Sequence, residues 1–215
     1  MKILLLMNEN SYAGREYLSS LKKEDIKIDA ISIGTYPKYD IVEENRCGGL
    51  WKPEQQEILS KFHNFFTFDS LNSKGLIQLL KKNEYQLGIQ GGTGIITKKI
   101  FEKFKLGILN FHPGLLPYYR GCSAPEWQVY EDQPVYSTCH LIDEGIDSGK
   151  IVEIKKLNTK MTSYELFRAS IYIETSKFLI QIIKEIISLK GFKMKLKYQN
   201  QEEAVYRKFI GDKKL

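Results

Sequence analysis

Cysteine is scarce in this chain. Its three residues, Cys47, Cys122 and Cys139, are widely spaced and odd in number, which fits reduced thiols in a cytoplasmic protein better than a disulfide framework or a zinc site. Long apolar runs are also missing. Ile3 to Met7 is too short, and Phe178 to Ile187 is broken by Gln181, Lys184 and Glu185, so neither supplies the ~20 apolar residues a bilayer requires. The opening MKILLLMNEN carries one Lys, five apolar residues before Asn8 and no A-x-A-like cleavage site, so it reads as a buried strand and not as a secretory leader. With 16 Gly and 6 Pro among 215 residues and no repeat, collagen-like and low-complexity architectures are excluded. Negative charge is the minority sign, 26 Asp and Glu against 32 Lys and Arg, for a net +6. That balance invites a nucleic-acid partner, but the basic residues are scattered as pairs, and only Lys190 to Lys197 (KGFKMKLK) forms a stripe. Specific nucleic-acid binding is therefore not expected, whereas a modest positive field suits an enzyme that captures small anions.

What is present is alternation. Residues 2–8 and 26–34 read as strands, with a helix over 14–22 between them. The pattern repeats as a strand at 65–68, a helix at 70–82, a strand at 87–90, a helix at 97–104 and a strand at 107–111. Two further strands, 136–142 and 150–157, precede a long helix over 162–190, with Thr162 and Glu165 as its capping box. Leu166, Ile173, Phe178, Ile182, Ile183 and Ile186 form the apolar stripe of that helix. The expected fold is α/β, a single Rossmann-like domain with a mostly parallel central sheet and flanking helices. One domain is expected over 1–215, its core at about 1–190 and a C-terminal tail at 191–215. Phe167, Tyr172 and Phe178 are candidate aromatic anchors for a homodimer.

Ligands of open α/β sheets bind beyond the carboxyl ends of strands, which directs attention to three loops. The first, Asn8 to Arg15, lacks a phosphate-binding fingerprint and serves equally as a plain connection. The second, Gln90 to Thr97, is rich in glycine, and Gly91, Gly92 and Gly94 are either backbone donors to a flat ligand or turn residues. The third runs from Asn110 to Asp147. Period-2 alternation puts Asn110 and His112 on one face of a strand and Phe111 on the other, so an amide and a titratable base point into the same space. The acidic loop Asp143 to Gly149 offers a carboxylate to orient that base. The alternatives are a structural His–carboxylate pair, a metal held by His112, His140, Asp143 and Asp147, or a nucleophile at Cys122 or Ser123. The second has no compact ligand spacing and the third no nearby base in sequence, while Asp143 most simply closes a turn.

The string Asn110-x-His112-Pro113-x-Leu115-Leu116-Pro117-x-x-Arg120-Gly121, followed by His140-x-x-Asp143-Glu144-Gly145-Ile146-Asp147-Ser148-Gly149, resembles the formyltransferases that use 10-formyltetrahydrofolate. The resemblance is close over about 85–155 and extends to the rest only in layout. It implies a catalytic trio of Asn110, His112 and Asp147, and a pterin read by Gly92, Ile95 and Ile96 together with Ile142, Asp143 and Gly145. No metal is implied. Within the family, Arg120-Gly121-Cys122-Ser123-Ala124-Pro125 with Trp127, and the tail Gln199 to Phe209, look most like the sugar N-formyltransferases, which act on nucleotide-linked amino sugars for surface polysaccharides. Asn10, Ser11, Tyr12, Arg120 and Trp51 are the substrate-binding candidates, although Trp51 serves equally as a stacking platform or a core residue. The glycinamide ribonucleotide type is disfavoured by Glu9 and Tyr12 in the first loop, and the initiator-tRNA type carries a C-terminal barrel for which this chain has no residues. A non-catalytic folate- or nucleotide-binding protein is the remaining alternative.

Overall fold

Five consecutive apolar side chains make Ile3–Met7 the natural centre of a parallel sheet, because a strand covered on both faces has no position that favours a polar residue. A computed structural model of the chain describes residues 1–8, 11–33, 47, 64–193 and 195–210, and in it all five are buried. This strand, β1, pairs in parallel with β2 (Asp29–Ile33) on one side and β4 (Leu87–Gly91) on the other. Strand β3 (Phe65–Phe68) adds to β2, and β5 (Ile108–His112) adds to β4, both in parallel. The remaining strands of the main sheet are β7 (Tyr136–Leu141) and β8 (Ile151–Lys156), which are antiparallel to each other. The hydrogen-bonded order is β3-β2-β1-β4-β5-β7-β8, so the sheet is mostly parallel, as the alternation implies. A small second sheet joins β6 (Arg120–Gly121) to β9 (Tyr206–Arg207).

The chain divides into two units, Met1–Leu109 and Asn110–Leu215, with the boundary inside β5. In the first unit, α1 (Tyr12–Lys23) is capped by Ser11, whose hydroxyl accepts from the Gly14 N–H at 3.1 Å. The helix sits so close to the strand ends that a Cβ at Gly14 would lie 2.5 Å from the Gly91 carbonyl oxygen. Helix α2 is Lys74–Asn83, and the expected helix over 97–104 shrinks to the single turn α3 (Lys98–Phe101). Beyond it, the N–H groups of Lys103 and Phe104 donate to carbonyls three residues back, tightening the chain so that Phe104 is buried beside Tyr85. The strand expected over 26–34 begins only at Asp29, because the Ile26 N–H closes the end of α1 on the Leu21 carbonyl.

In the second unit, α4 (Ala124–Tyr130) and α5 (Tyr164–Leu189) flank β7 and β8 in sequence. Ser163, not Thr162, caps α5, its hydroxyl accepting from the Leu166 N–H at 3.2 Å. The core stripe of α5 holds at Phe178, Ile182, Ile183 and Ile186 and differs from the expected one nearer the helix start. Leu166 and Ile173 are half-buried, while Phe167 and Ile171 pack with Val135 and Leu157. Phe178 is fully buried and meets Phe111 edge-on at 5.5 Å. Phe167 and Phe178 are thus consumed by this unit's own core and cannot anchor a dimer.

Candidate active site

Strand alternation sends Phe111 into the core and Asn110 and His112 to the opposite face. Pro113 then ends the ladder, since it has no N–H to donate. The loop that follows is pinned at several points. The Gln128 carboxamide accepts from the N–H groups of Leu115 and Tyr136 and donates to the carbonyls of Pro113 and Ala124. Thr138 Oγ1 donates to the Gly114 carbonyl at 2.6 Å and accepts from the Leu116 N–H, while Ser137 Oγ donates to the His112 carbonyl. These bonds satisfy a buried loop backbone and leave His112 little freedom.

The structure brings Asn110, His112 and Asp147 together and adds His140. His112 Nδ1 lies 3.5 Å from Asp147 Oδ2, and His112 Nε2 lies 2.6 Å from the Tyr119 carbonyl oxygen. A carbonyl only accepts, so in the neutral imidazole the proton sits on Nε2 and Nδ1 faces the carboxylate with a lone pair. That contact is acceptor against acceptor, and it becomes attractive once Nδ1 takes a proton. Burial pushes the His112 pKa below its ordinary value, against the opposing pull of the Asp147 charge and the Tyr119 carbonyl. Burial pushes the Asp147 carboxyl upward, but His112, His140 and the Gly121 N–H outweigh it and bring it down to about 2. At neutral pH the pair is therefore a neutral base beside a fixed negative charge. Asp147 adopts φ 51°, and its Oδ2 also accepts from the Gly121 N–H at 2.9 Å. Position 121 must be glycine, because its φ is 91° and a Cβ there would lie 2.6 Å from the Arg207 carbonyl oxygen.

Asn110 presents its amide nitrogen to two neighbours. Nδ2 is 3.1 Å from His140 Nε2 and 3.4 Å from Asp147 Oδ1. The Leu141 carbonyl lies 2.9 Å from His140 Nδ1 and takes that proton, so Nε2 accepts from Asn110. The bond to Asp147 is long enough for the second N–H to be given to a substrate oxygen. His140 is buried beside the trio, and its ligation of Asn110 escaped the sequence reading. The signal was present, because His140 lies in a strand two residues before a loop that carries the paired acid.

The other candidates fall in varied places. Arg120 has no exposed surface, and its guanidinium donates to Gln199, Gln201 and Tyr206. Ser11 caps α1, and Tyr12 is buried as its first residue. Asn10 and Trp51 lie outside the described residues. In the first unit Ile96 is buried, whereas Gly92 and Ile95 are exposed, the latter at 79%. In the second, Ile142 is half-buried and Gly145 exposed, while Asp143 Oδ1 closes its own loop on the Gly145 N–H and the Ser148 hydroxyl. Asp143 is thus turned away from a shared ligand set with His112. Among the described residues no group of three or more His, Cys, Asp or Glu is placed to hold a metal ion. No described helix is long and apolar enough to cross a membrane.

Residues 1–183 match the profile of the Formyl transferase family. A methionyl-tRNA formyltransferase of Wolbachia pipientis subsp. Culex pipiens is 31% identical over 123 residues, 56% of this chain and 40% of that protein. The chain spans half or less of the length of the curated relatives it matches first. Among solved structures, a sugar N-formyltransferase from Shewanella sp. FDAARGOS_354 superposes with TM-score 0.65 at 15% identity, covering 96% of this chain and 76% of that one. An N-formyltransferase from Helicobacter canadensis, in complex with folinic acid and dTDP-3-aminofucose, gives TM-score 0.62 at 18% identity, with 96% and 70% covered. At such identities the likeness concerns the fold.

Proposed function

The chain belongs to the formyl transferase family, and from that premise we propose that it moves a formyl group from 10-formyltetrahydrofolate to the amine of a nucleotide-linked amino sugar. The observation that carries the reading is the juxtaposition of Asn110, a neutral His112 and a charged Asp147 in one cluster with no activated nucleophile. Among the remaining candidates, Ser123 Oγ accepts from the Ile210 N–H at 3.4 Å, and Cys122 is exposed. Direct transfer fits such a site. As the amine nitrogen bonds to the formyl carbon, negative charge grows on the formyl oxygen, and the spare N–H of Asn110 can meet it. The proton leaving the amine is taken at His112 Nδ1, where Asp147 stabilises the imidazolium, and it is passed on to the departing folate nitrogen. No covalent enzyme intermediate is required.

On this reading the whole of 1–215 acts as one catalytic domain. Gly92, Ile95, Ile96, Ile142, Asp143 and Gly145 are the folate-contact candidates of this reading. The odd number and wide spacing of the three cysteines support a cytoplasmic location, where thiols stay reduced. A homodimer belongs to the same reading, with the half-buried Tyr172 the anchor that remains, and sedimentation at micromolar concentration tests it. The direct test of function is mass spectrometry after incubation with 10-formyltetrahydrofolate and a panel of amines: nucleotide-linked amino sugars, glycinamide ribonucleotide and methionyl-tRNA. Gain of one formyl group on an amino sugar is expected. Gain on either of the other two relocates the substrate, and folded protein that formylates nothing overturns the assignment.

A further inference from the structure

Gln199 lies 52 residues beyond Asp147, yet its carboxamide nitrogen donates to the Asp147 carbonyl at 2.9 Å and to the Gly149 carbonyl at 2.7 Å. Its oxygen accepts from Arg120 Nε at 3.1 Å and Nη2 at 2.7 Å. The arginine settles which way the amide points: a guanidinium only donates, so Oε1 must face it and Nε2 must face the loop. Arg120 itself is unusual. It is completely buried, and among the described residues its partners are the neutral oxygens of Gln199, Gln201 and Tyr206, with the Tyr206 ring 5.4 Å away. A desolvated cation held by neutral acceptors is costly, so the site is built for more than a surface charge pair.

The same strand delivers the second half of the arrangement. The N–H groups of Arg120 and Cys122 donate to the Val205 and Arg207 carbonyls of the C-terminal segment, whereas the intervening Gly121 N–H points to Asp147 Oδ2. Asp147 is therefore gripped at its backbone by Gln199 and at its carboxylate by Gly121, and both grips depend on one short strand. The backbone grip falls on a residue held at φ 51°, a conformation disfavoured for a non-glycine residue unless its surroundings enforce it. We propose that Gln199, locked in orientation by Arg120, is a positioning residue that aims the Asp147 carboxylate at His112. The inference rests on the reading of Asp147 as the catalytic carboxylate and assigns a catalytic duty to the C-terminal segment.

The test compares Gln199→Met, which keeps length but removes both donors, with Gln201→Ala, which removes another Arg120 partner without touching the Asp147 loop. Two readouts need no substrate: hydrogen exchange of the Gly121 amide, and the imidazole titration of His112 by NMR, assigned against His112→Asn in a chain with three histidines. In Gln199→Met the Gly121 amide should exchange about tenfold faster, the equivalent of one lost hydrogen bond. The His112 midpoint should move down, because the Asp147 charge is what holds it up against burial. Turnover of the formylated amine should fall about 10²-fold with KM for the folate donor unchanged, as expected for a misaimed group. Gln201→Ala should leave all three in place. If Gln199→Met does not fold, Gln199→Glu keeps the Arg120 link while offering the carbonyls no donor, and faster Gly121 exchange is expected there too. Unchanged exchange and titration in the Gln199 variants, or the same changes in Gln201→Ala, overturn the proposal. Asp147→Asn separates the two levels. A normal kcat in that variant removes the catalytic reading while the Gln199 effects on Gly121 persist, and a dead Asp147→Asn beside an intact Gln199→Met removes only the positioning role.

Discussion

The two units bury different chemistry. Among the described residues the first hides three polar side chains, Asn8, Ser19 and Ser32, and the second hides twelve, including two His, two Arg, a Glu and two Gln. Both units build sheet strands with flanking helices, so the polar interior is not a requirement of that architecture. Each buried polar group costs stability unless it is bonded, and concentration of that cost in one unit marks where function resides. The second unit also contains its own internal contrast. Glu126 and Arg168 form a buried clasp between α4 and α5 at 2.8 Å, with Tyr164 donating to the same carboxylate oxygen while Glu126 Oε2 is left without a hydrogen-bond partner. The trio is incomplete: Asp147 and His112 Nδ1 face each other at 3.5 Å as two acceptors that lack a shared proton. A pair of opposite charges holds two helices together, whereas two facing acceptors are ready to receive a proton.

Removing one side of the clasp should produce the largest loss of stability. Glu126→Ala strands a buried guanidinium, and truncation of one partner of a buried pair costs ~3–5 kcal/mol. Thermal unfolding should report it, and a loss under about 1 kcal/mol would mean that the clasp is replaced by water. Next come the trio variants, which should reverse the pattern. Asn110→Ala and His112→Asn are expected to lower kcat by ~10²–10³ while changing the unfolding midpoint far less than Glu126→Ala does. A stable His112→Asn protein with ordinary turnover would make the trio a second structural clasp and erase the contrast.

The first unit was largely legible because its rule is local. An all-apolar Ile3–Met7 needs no distant information to be read as a central strand. The second unit was legible only in part, because its polar groups are satisfied across long stretches of sequence. Gln199 serves Asp147 from 52 residues away, and Arg120 looked like a substrate contact because nothing in its neighbourhood names the glutamines that receive it. Periodicity placed α5 and the inward-facing Phe178, Ile182, Ile183 and Ile186, but missed Phe167 and Ile171, which are drawn inward by the partner surface at Val135 and Leu157. Likewise, a glycine-containing segment such as 102–107 decides between α-helix and tighter turns through burial of Phe104, which composition does not encode.

The pH response should fall between the mutational extremes. His112 has a lowered folded pKa, so the unfolded chain takes up its proton first and stability is lost as pH falls through the ordinary value of 6.5. Asp147 is also lowered, from 3.8 to about 2, so its contribution is complete above 3.8 and disappears as pH falls toward 2. That shift corresponds to roughly 2 kcal/mol. Denaturant titrations of wild type and Asp147→Asn between pH 7 and 2 should converge at the acid end. kcat/KM should rise with pH through a midpoint below 6.5, because a proton already on Nδ1 blocks the base. An inflection above 6.5 would place the titrating group outside the buried cluster.

The smallest expected effect tests whether the two units differ in anything besides their interiors. Helix ends obey the same rule everywhere: the first N–H groups have no partner within the helix, and a serine hydroxyl just before it can accept one. Ser73 does this for α2 in the first unit, accepting from the Leu76 N–H at 3.2 Å, and Ser163 does it for α5 in the second with the same geometry. Glu165 responds to the cap, its carboxyl held below the ordinary range by its own N–H and the Ser163 hydroxyl. Ser73→Ala and Ser163→Ala should therefore each cost ~1 kcal/mol, while Thr162→Ala, one residue too early, should cost almost nothing. Denaturant midpoints of the three variants decide the matter. If Thr162→Ala costs as much as Ser163→Ala, the helix starts one residue earlier than described. If Ser163→Ala alone is expensive, the end of α5 is coupled to the polar interior beside it, and the division between a shared scaffold and a specialised core does not hold at that helix.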